Sequence, residues 1–91
     1  MASETKTISA QNIFTDALTV RGGQFDISIS DVSDSTVTVQ RRRSGESTWL
    51  DVEAFTSDAE RTGAVSGAWD VRAGIKTGDY GSDTVEVAVT V

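Results

Sequence analysis

The chain has 91 residues, with 8 Lys and Arg against 14 Asp and Glu, a net charge of -6, and neither cysteine nor histidine. That length suits one small domain with a modest core, and the missing side chains exclude disulfide staples and the commonest zinc ligands. The acid excess argues against a nucleic-acid partner, because phosphate binding draws on clustered Lys and Arg.

No apolar run is long enough to span a membrane, and the opening Met1-Ala2-Ser3-Glu4-Thr5-Lys6 lacks the apolar stretch of a signal peptide. A soluble product made in the cytoplasm, with no membrane partner, is the expectation. Proline is absent, while Val and Thr recur in alternating runs, a bias toward strands.

In residues 2–16 the only large apolar side chains are Ile8, Ile13 and Phe14. They read as a first strand around residues 6–10 and a loop whose Phe14 plugs the end of the core. The rival reading is an arm that docks on a neighbouring subunit. Residues 1–16 are thus an N-terminal strand or arm, and residues 17–91 a single domain.

Leu18-Thr19-Val20-Arg21 and Gln24-Phe25-Asp26-Ile27-Ser28-Ile29-Ser30 flank Gly22-Gly23, a pair that tolerates positive φ at both positions. A two-residue turn there sets Val20 opposite Phe25 and Leu18 opposite Ile27. Asp31-Val32-Ser33-Asp34 is rich in turn formers and links this hairpin to the next.

Residues 35–53 read as a second hairpin. Thr36 to Arg41 alternates polar with apolar, as does the second arm from Leu50 onward. A loop over Arg43-Ser44-Gly45-Glu46 puts Val39 opposite Leu50 and Val37 opposite Val52. The same register leaves Trp49 beside Gln40 on the outer face, unless a bulge turns it inward.

Residues 54–63 are the least strand-like stretch. Ser57 with Glu60 resembles a capping box, and the segment reads as a crossover with at most one helical turn and Phe55 buried at a corner. Ser66 and Gly67 end it as turn formers. In the last third, Trp69, Val71, Ala73 and Ile75 alternate with polar or small residues, as do Val85, Val87, Val89 and Val91. A third hairpin with residues 77–83 as its loop pairs Ile75 with Val85 and Trp69 with Val91, making Trp69 the core tryptophan. The terminal valine strand must be central or covered by another chain, since unpaired it would be a dangerous edge.

Three hairpins and an N-terminal strand give about seven strands, which two packed antiparallel sheets would cover. The expected fold is therefore all-β, an Ig-like antiparallel β-sandwich with a short N-terminal arm.

Without His or Cys, nucleophilic catalysis is reduced to Ser-Lys or carboxylate schemes, and Lys6 and Lys76 lie in segments that read as exposed. Asp51 with Glu53, and Asp58 with Glu60, read as solvated carboxylates. Asp79 and Asp83 lack the dense oxygen spacing of a calcium loop. The expectation is a non-enzyme with no catalytic residue, no metal and no cofactor. Arg41-Arg42-Arg43 is either the charged rim of a hairpin or a contact for an acidic partner surface or a phosphate. Trp49 and Tyr80 are candidate anchors of an interface. Together with Ile8, Ile13 and Phe14 of the arm, these make up the candidate interface.

Val37-Thr38-Val39-Gln40-Arg41, a Gly-containing turn, Thr48-Trp49 with Val52, Phe55-Thr56, Glu60, and then Val71-Arg72-Ala73-Gly74-Ile75-Lys76-Thr77-Gly78 form a string of motifs. It resembles a pattern in short structural proteins of tailed bacteriophages and related prophage elements, which are small β-sandwich modules. The resemblance spans residues 35–91, and the N-terminal segment has no counterpart in it. It implies a virion protein of the capsid-decoration or head-fibre type, bound to the major capsid protein or another virion protein through its arm or an edge strand, and homo-oligomeric. The alternative is a carbohydrate or cell-surface binding module in which Trp49 and Tyr80 form a flat platform.

Overall fold

The computed structural model describes residues 2–91. Seven strands follow one another: β1 (Ser3–Ile8), β2 (Ile13–Phe14), β3 (Leu18–Ser30), β4 (Val37–Arg43), β5 (Leu50–Phe55), β6 (Ala59–Ile75) and β7 (Val85–Thr90). There is no helix among the described residues. All pairings are antiparallel and join the strands into one sheet of order β1-β7-β3-β6-β4-β5, with β2 added to β6 off that path. The all-β antiparallel architecture is the one the alternation implies.

The long strands β3 and β6 form the spine of this sheet, pairing with each other from Leu18↔Val71 to Ile29↔Ala59. Buried positions on β3 switch from even (Leu18, Val20) to odd (Phe25, Ile27, Ile29). A two-residue turn at Gly22-Gly23 would explain that switch, but the chain runs straight on. Between Arg21 and Gly23 the partners on β6 move from Ala68 to Val65, so β6 carries one extra residue there, with Gly67 at a φ of 87° facing Gly22 at 77° and Gly23 at 95°. The positive-φ glycines thus serve a bulge that bends the ribbon. A glycine pair permits either outcome, and β6 decides it by offering backbone partners to both halves of β3.

The bend divides the sheet into two limbs. In the first, β1 and β7 flank the second half of β3 and the start of β6; in the second, the start of β3, the end of β6, β4 and β5 lie side by side. Ile8, Phe25, Ile27, Ile29, Val85, Val87 and Val89 from the first limb join Leu18, Val20, Val37, Val39, Phe55, Val71, Ala73 and Ile75 from the second in one buried cluster. The limbs therefore share a single core, in a sandwich-like arrangement. Each large side chain buried there stabilises the fold by roughly 1.5–3 kcal/mol.

The third hairpin does not form. β7 pairs with β1 on one side and β3 on the other, and β6 takes β3 and β4 as its neighbours. The valine-rich last strand is therefore central, as an edge so apolar had to be. Trp69 is not in the core: it is half-buried, opposite Val20 on one side and Arg43 on the other, near the bend. Alternation fixed the faces of these strands correctly but said nothing about which neighbour each would take.

The β4–β5 hairpin forms in a different register. Val37 faces Phe55, Val39 faces Glu53 and Arg41 faces Leu50, with Val52 the extra residue of a bulge. This brings Phe55 to 7% exposure and leaves Leu50 and Val52 at 51% and 49%. Burying the larger Phe55 in place of Val52 favours this register. Residues 54–63 contain no helical turn: β5 ends at Phe55 and β6 begins at Ala59, so Ser57 and Glu60 do not cap a helix.

Candidate interaction surface

The outer face of the second limb is built from the residues that alternate with its buried ones: Thr38, Gln40 and Arg42 on β4, and Asp70 and Arg72 on β6. The pairs Gln40↔Arg72 and Arg42↔Asp70 bring them side by side. Arg72 lies over the Phe14 ring at 4.1 Å and over the Trp49 ring at 4.2 Å, and Arg42 over Trp49 at 4.4 Å. Phe14, Arg72, Trp49 and Arg42 thus form an alternating stack of aromatic rings and guanidinium groups. Each such contact is worth about 0.5–2 kcal/mol, more as water is excluded.

Hydrogen bonds fix the stack from below. Arg42 Nε donates to Asp70 Oδ2 at 3.0 Å, and Thr19 Oγ1 donates to Asp70 Oδ1 at 2.8 Å. Arg72 Nε donates to Gln40 Oε1 at 2.9 Å, while Gln40 Nε2 donates to Asp51 Oδ1 at 2.8 Å. Lys76 Nζ reaches Asp51 Oδ2 at 2.8 Å. The Lys76 hydrogen bond, with the one from Gln40, holds the Asp51 carboxyl below the usual range, and Asp51 in turn raises Lys76. Burial, with Arg42 nearby, lowers Arg72 from its ordinary value.

Period 2 splits the arginine run. Arg42 joins the outer stack, whereas Arg41 and Arg43 lie over the Trp69 ring at 4.3 and 4.8 Å, and Trp69 Nε1 donates to Ser66 O at 3.1 Å. Both tryptophans are therefore half-buried under guanidinium groups on opposite faces of β4, and the basic run is occupied within its own chain.

Two strands form the ends of the sheet path. β1 is one edge, with Glu4, Thr5, Lys6 and Thr7 along it; β5 is the other, and it presents the exposed Leu50 and Val52. After Phe55 the chain returns into β6, but β5 and the start of β6 are not hydrogen-bonded to each other. A cleft of about 70 Å³ opens between them, lined among others by Ile27, Val39, Val52, Phe55 and Gly63. Arg61 crosses its mouth, 3.7 Å from Glu53 and 5.2 Å from the Phe55 ring centre.

The candidate interface residues do not share one surface. Ile8 is wholly buried opposite Val85, so it belongs to the core and is not available to a partner. Ile13 is half-buried, pairs with Ile75 and packs on the core. Phe14 does not plug the core; it covers Gly74 on the outer face, where any Cβ on Gly74 would strike the Phe14 backbone. Tyr80 is half-buried and packs against the core. Arg42, Trp49 and Phe14 do come together, joined by Arg72, Asp70 and Gln40, none of which was among the candidate interface residues. Leu50 and Val52 were missed because alternation assigned them to the core.

Among the described residues no helix is long and apolar enough to cross a membrane. Compared with protein-family models, with curated proteins and with solved structures, the chain finds no match in any of the three.

Proposed function

We propose that this chain is a non-enzymatic structural protein of a tailed-phage virion, of the capsid-decoration or head-fibre type, that self-associates and attaches to the shell through an edge strand. The observation that carries the attachment is the contrast between the two edges of the sheet. β1 carries Glu4 and Lys6, the kind of charged side chain that discourages strand addition. β5 carries Asp51 and Glu53 as well, but these are paired with Lys76 and Arg61, which leaves Leu50 and Val52, about half exposed, beside the half-buried Trp49. An open strand with apolar side chains is a template for β-augmentation, in which the added strand gains backbone hydrogen bonds along its length.

Attachment through the N-terminal arm is less favoured, because all six residues of β1 are already paired with β7. The virion assignment is supported by the motif resemblance over residues 35–91. A carbohydrate platform built on Trp49 and Tyr80 has less support, since Arg42 and Arg72 lie over the Trp49 ring and Tyr80 packs against the core.

The test is to mix the purified chain with assembled phage shells and follow co-sedimentation. The wild type is expected to pellet with the particle and Val52→Lys to stay in solution. A chain that pellets with no particle overturns the reading.

A further inference from the structure

The outer face of the first limb is chemically one-sided. Its residues alternate with the buried ones of β3 and β7: Asp26, Ser28 and Ser30 on β3, and Glu86, Ala88 and Thr90 on β7. Ser3, Thr5 and Thr7 of β1 continue it through their pairs with Thr90, Ala88 and Glu86, and Glu60 and Thr62 of β6 complete it opposite Ser28 and Asp26. Its alternating positions hold three carboxylates and no cation, and Lys6 of the edge strand is the one cation that lines the trough. Asp26 accepts a hydrogen bond from Thr62 and Glu60 one from Ser28. None of the three carboxylates is in an ion pair among the described residues. The face sinks into a trough of about 520 Å³, lined by Thr5, Thr7, Ser28, Ser30, Glu86 and Ala88 together with Lys6 and Val87.

The outer face of the second limb has the opposite character. Arg21, which alternates with the buried Leu18 and Val20, stands on it with Arg42, Arg72 and Lys76, against the carboxylates of Asp51 and Asp70. Trp49 stands among these cations. The net charge of -6 conceals this separation. Cations and aromatic rings sit on one limb, and unpaired carboxylates among hydroxyl groups sit on the other.

We infer that the two faces are complementary halves of a head-to-tail contact between copies of this chain. The Arg21, Arg42, Arg72 and Trp49 face of one copy docks on the Asp26, Glu60 and Glu86 face of the next. Charge complementarity steers and orients such a contact, and Arg is among the side chains that most often anchor one. Because the two faces differ, the contact is heterologous and leaves a free face at each end, so it builds rings or open chains. This deepens the self-association named in the proposed function, and it requires no shell.

The experiment is sedimentation velocity of the full chain, without shells, at low and high ionic strength. Association is expected at low salt and should weaken as salt screens the faces. Arg21 and Glu86 are exposed and, among the described residues, in no ion pair, so Arg21→Glu and Glu86→Lys should leave the thermal melt unchanged and each abolish self-association. Mixed in equal amounts, the two variants retain one good face of each kind, and their two reversed faces also match each other, so association should return through alternating copies. The double variant should associate again. A wild type that stays monomeric at low salt overturns the inference while leaving shell attachment to be judged by co-sedimentation. So does association that neither single variant disturbs, or a mixture that does not associate. Association lost in Val52→Lys but kept in both charge variants would assign the contact to the β5 edge, again overturning it.

Discussion

Asp34 and Asp83 each bind the backbone of the other's loop. Asp83 Oδ2 accepts the N–H groups of Ser33, Asp34 and Ser35 at 2.8, 3.2 and 3.3 Å, and the Ser35 hydroxyl donates to its second oxygen. In return, Asp34 accepts the N–H groups of Ser82 and Asp83 at 2.9 and 3.2 Å and the Ser82 hydroxyl at 2.6 Å. Three successive N–H groups on one carboxylate oxygen form a backbone nest for an anion. This double clasp ties the β3–β4 connection to the β6–β7 connection, so the carboxylates at this end of the molecule serve the fold.

The clasp makes stability depend on acid. Burial works against ionisation of Asp83, but the hydrogen bonds from Ser33, Ser35 and Asp34 outweigh it and hold the carboxyl well below its ordinary 3.8. A depressed folded pKa means the contribution is complete above the unfolded value and is lost as pH falls below it toward the folded one. Urea midpoints should drop below about pH 4. Asp83→Ala should destabilise the chain by about 2–3 kcal/mol at neutral pH and flatten that acid limb. An acid limb as steep as that of the wild type would show that Asp83 is not its source.

Gly74→Ala tests whether Phe14 closes the outer face. The new Cβ would meet Ile13 O and the Phe14 Cα, and backbone at such range cannot step aside as a flexible side chain can. The expected cost is about 1–3 kcal/mol, read from thermal or urea unfolding, with loss of exchange protection at Thr15, whose N–H donates to Ala73 O at 2.9 Å.

Trp49→Ala should cost about 1–3 kcal/mol, from two cation–π contacts and the lost apolar area. Because Trp49 and Trp69 are both half-buried, a water-soluble quencher should reach the fluorescence of each in the corresponding single-tryptophan variant. A blue-shifted, unquenched Trp69 would contradict its position near the bend.

Val52→Lys separates folding from attachment. A half-exposed bulge residue contributes little to stability, so the change should stay within about 0.5 kcal/mol while adding a charge to the open edge. A large loss of stability would mean that Val52 is packed after all.

Removing residues 1–8 should expose the second edge of β7, where Val85, Val87 and Val89 lie between β1 and β3. The shortened chain is expected to aggregate at concentrations where the full chain remains dispersed, as measured by light scattering.

The Phe25, Ile27, Ile29 and Val85, Val87, Val89 runs were legible as strands with one buried face, because a side-chain period of two is a local property of extended backbone. All three thirds of the chain carried that signal, so composition and alternation determined an all-β chain; β5 is the exception, with Leu50 and Val52 left exposed beside its bulge. Partner and register were decided elsewhere. Gly22-Gly23 allows a turn or a bulge, and the long edge of β6 selected the bulge; Val52 and Phe55 compete for the core, and the larger ring won the place. Trp49, Arg42 and Arg72 form a stack only because β6 lies next to β4, a neighbourhood that no spacing within either strand encodes. Alternation states which way a side chain points, whereas the neighbour it meets depends on how backbone hydrogen bonds and buried area are satisfied over the whole sheet.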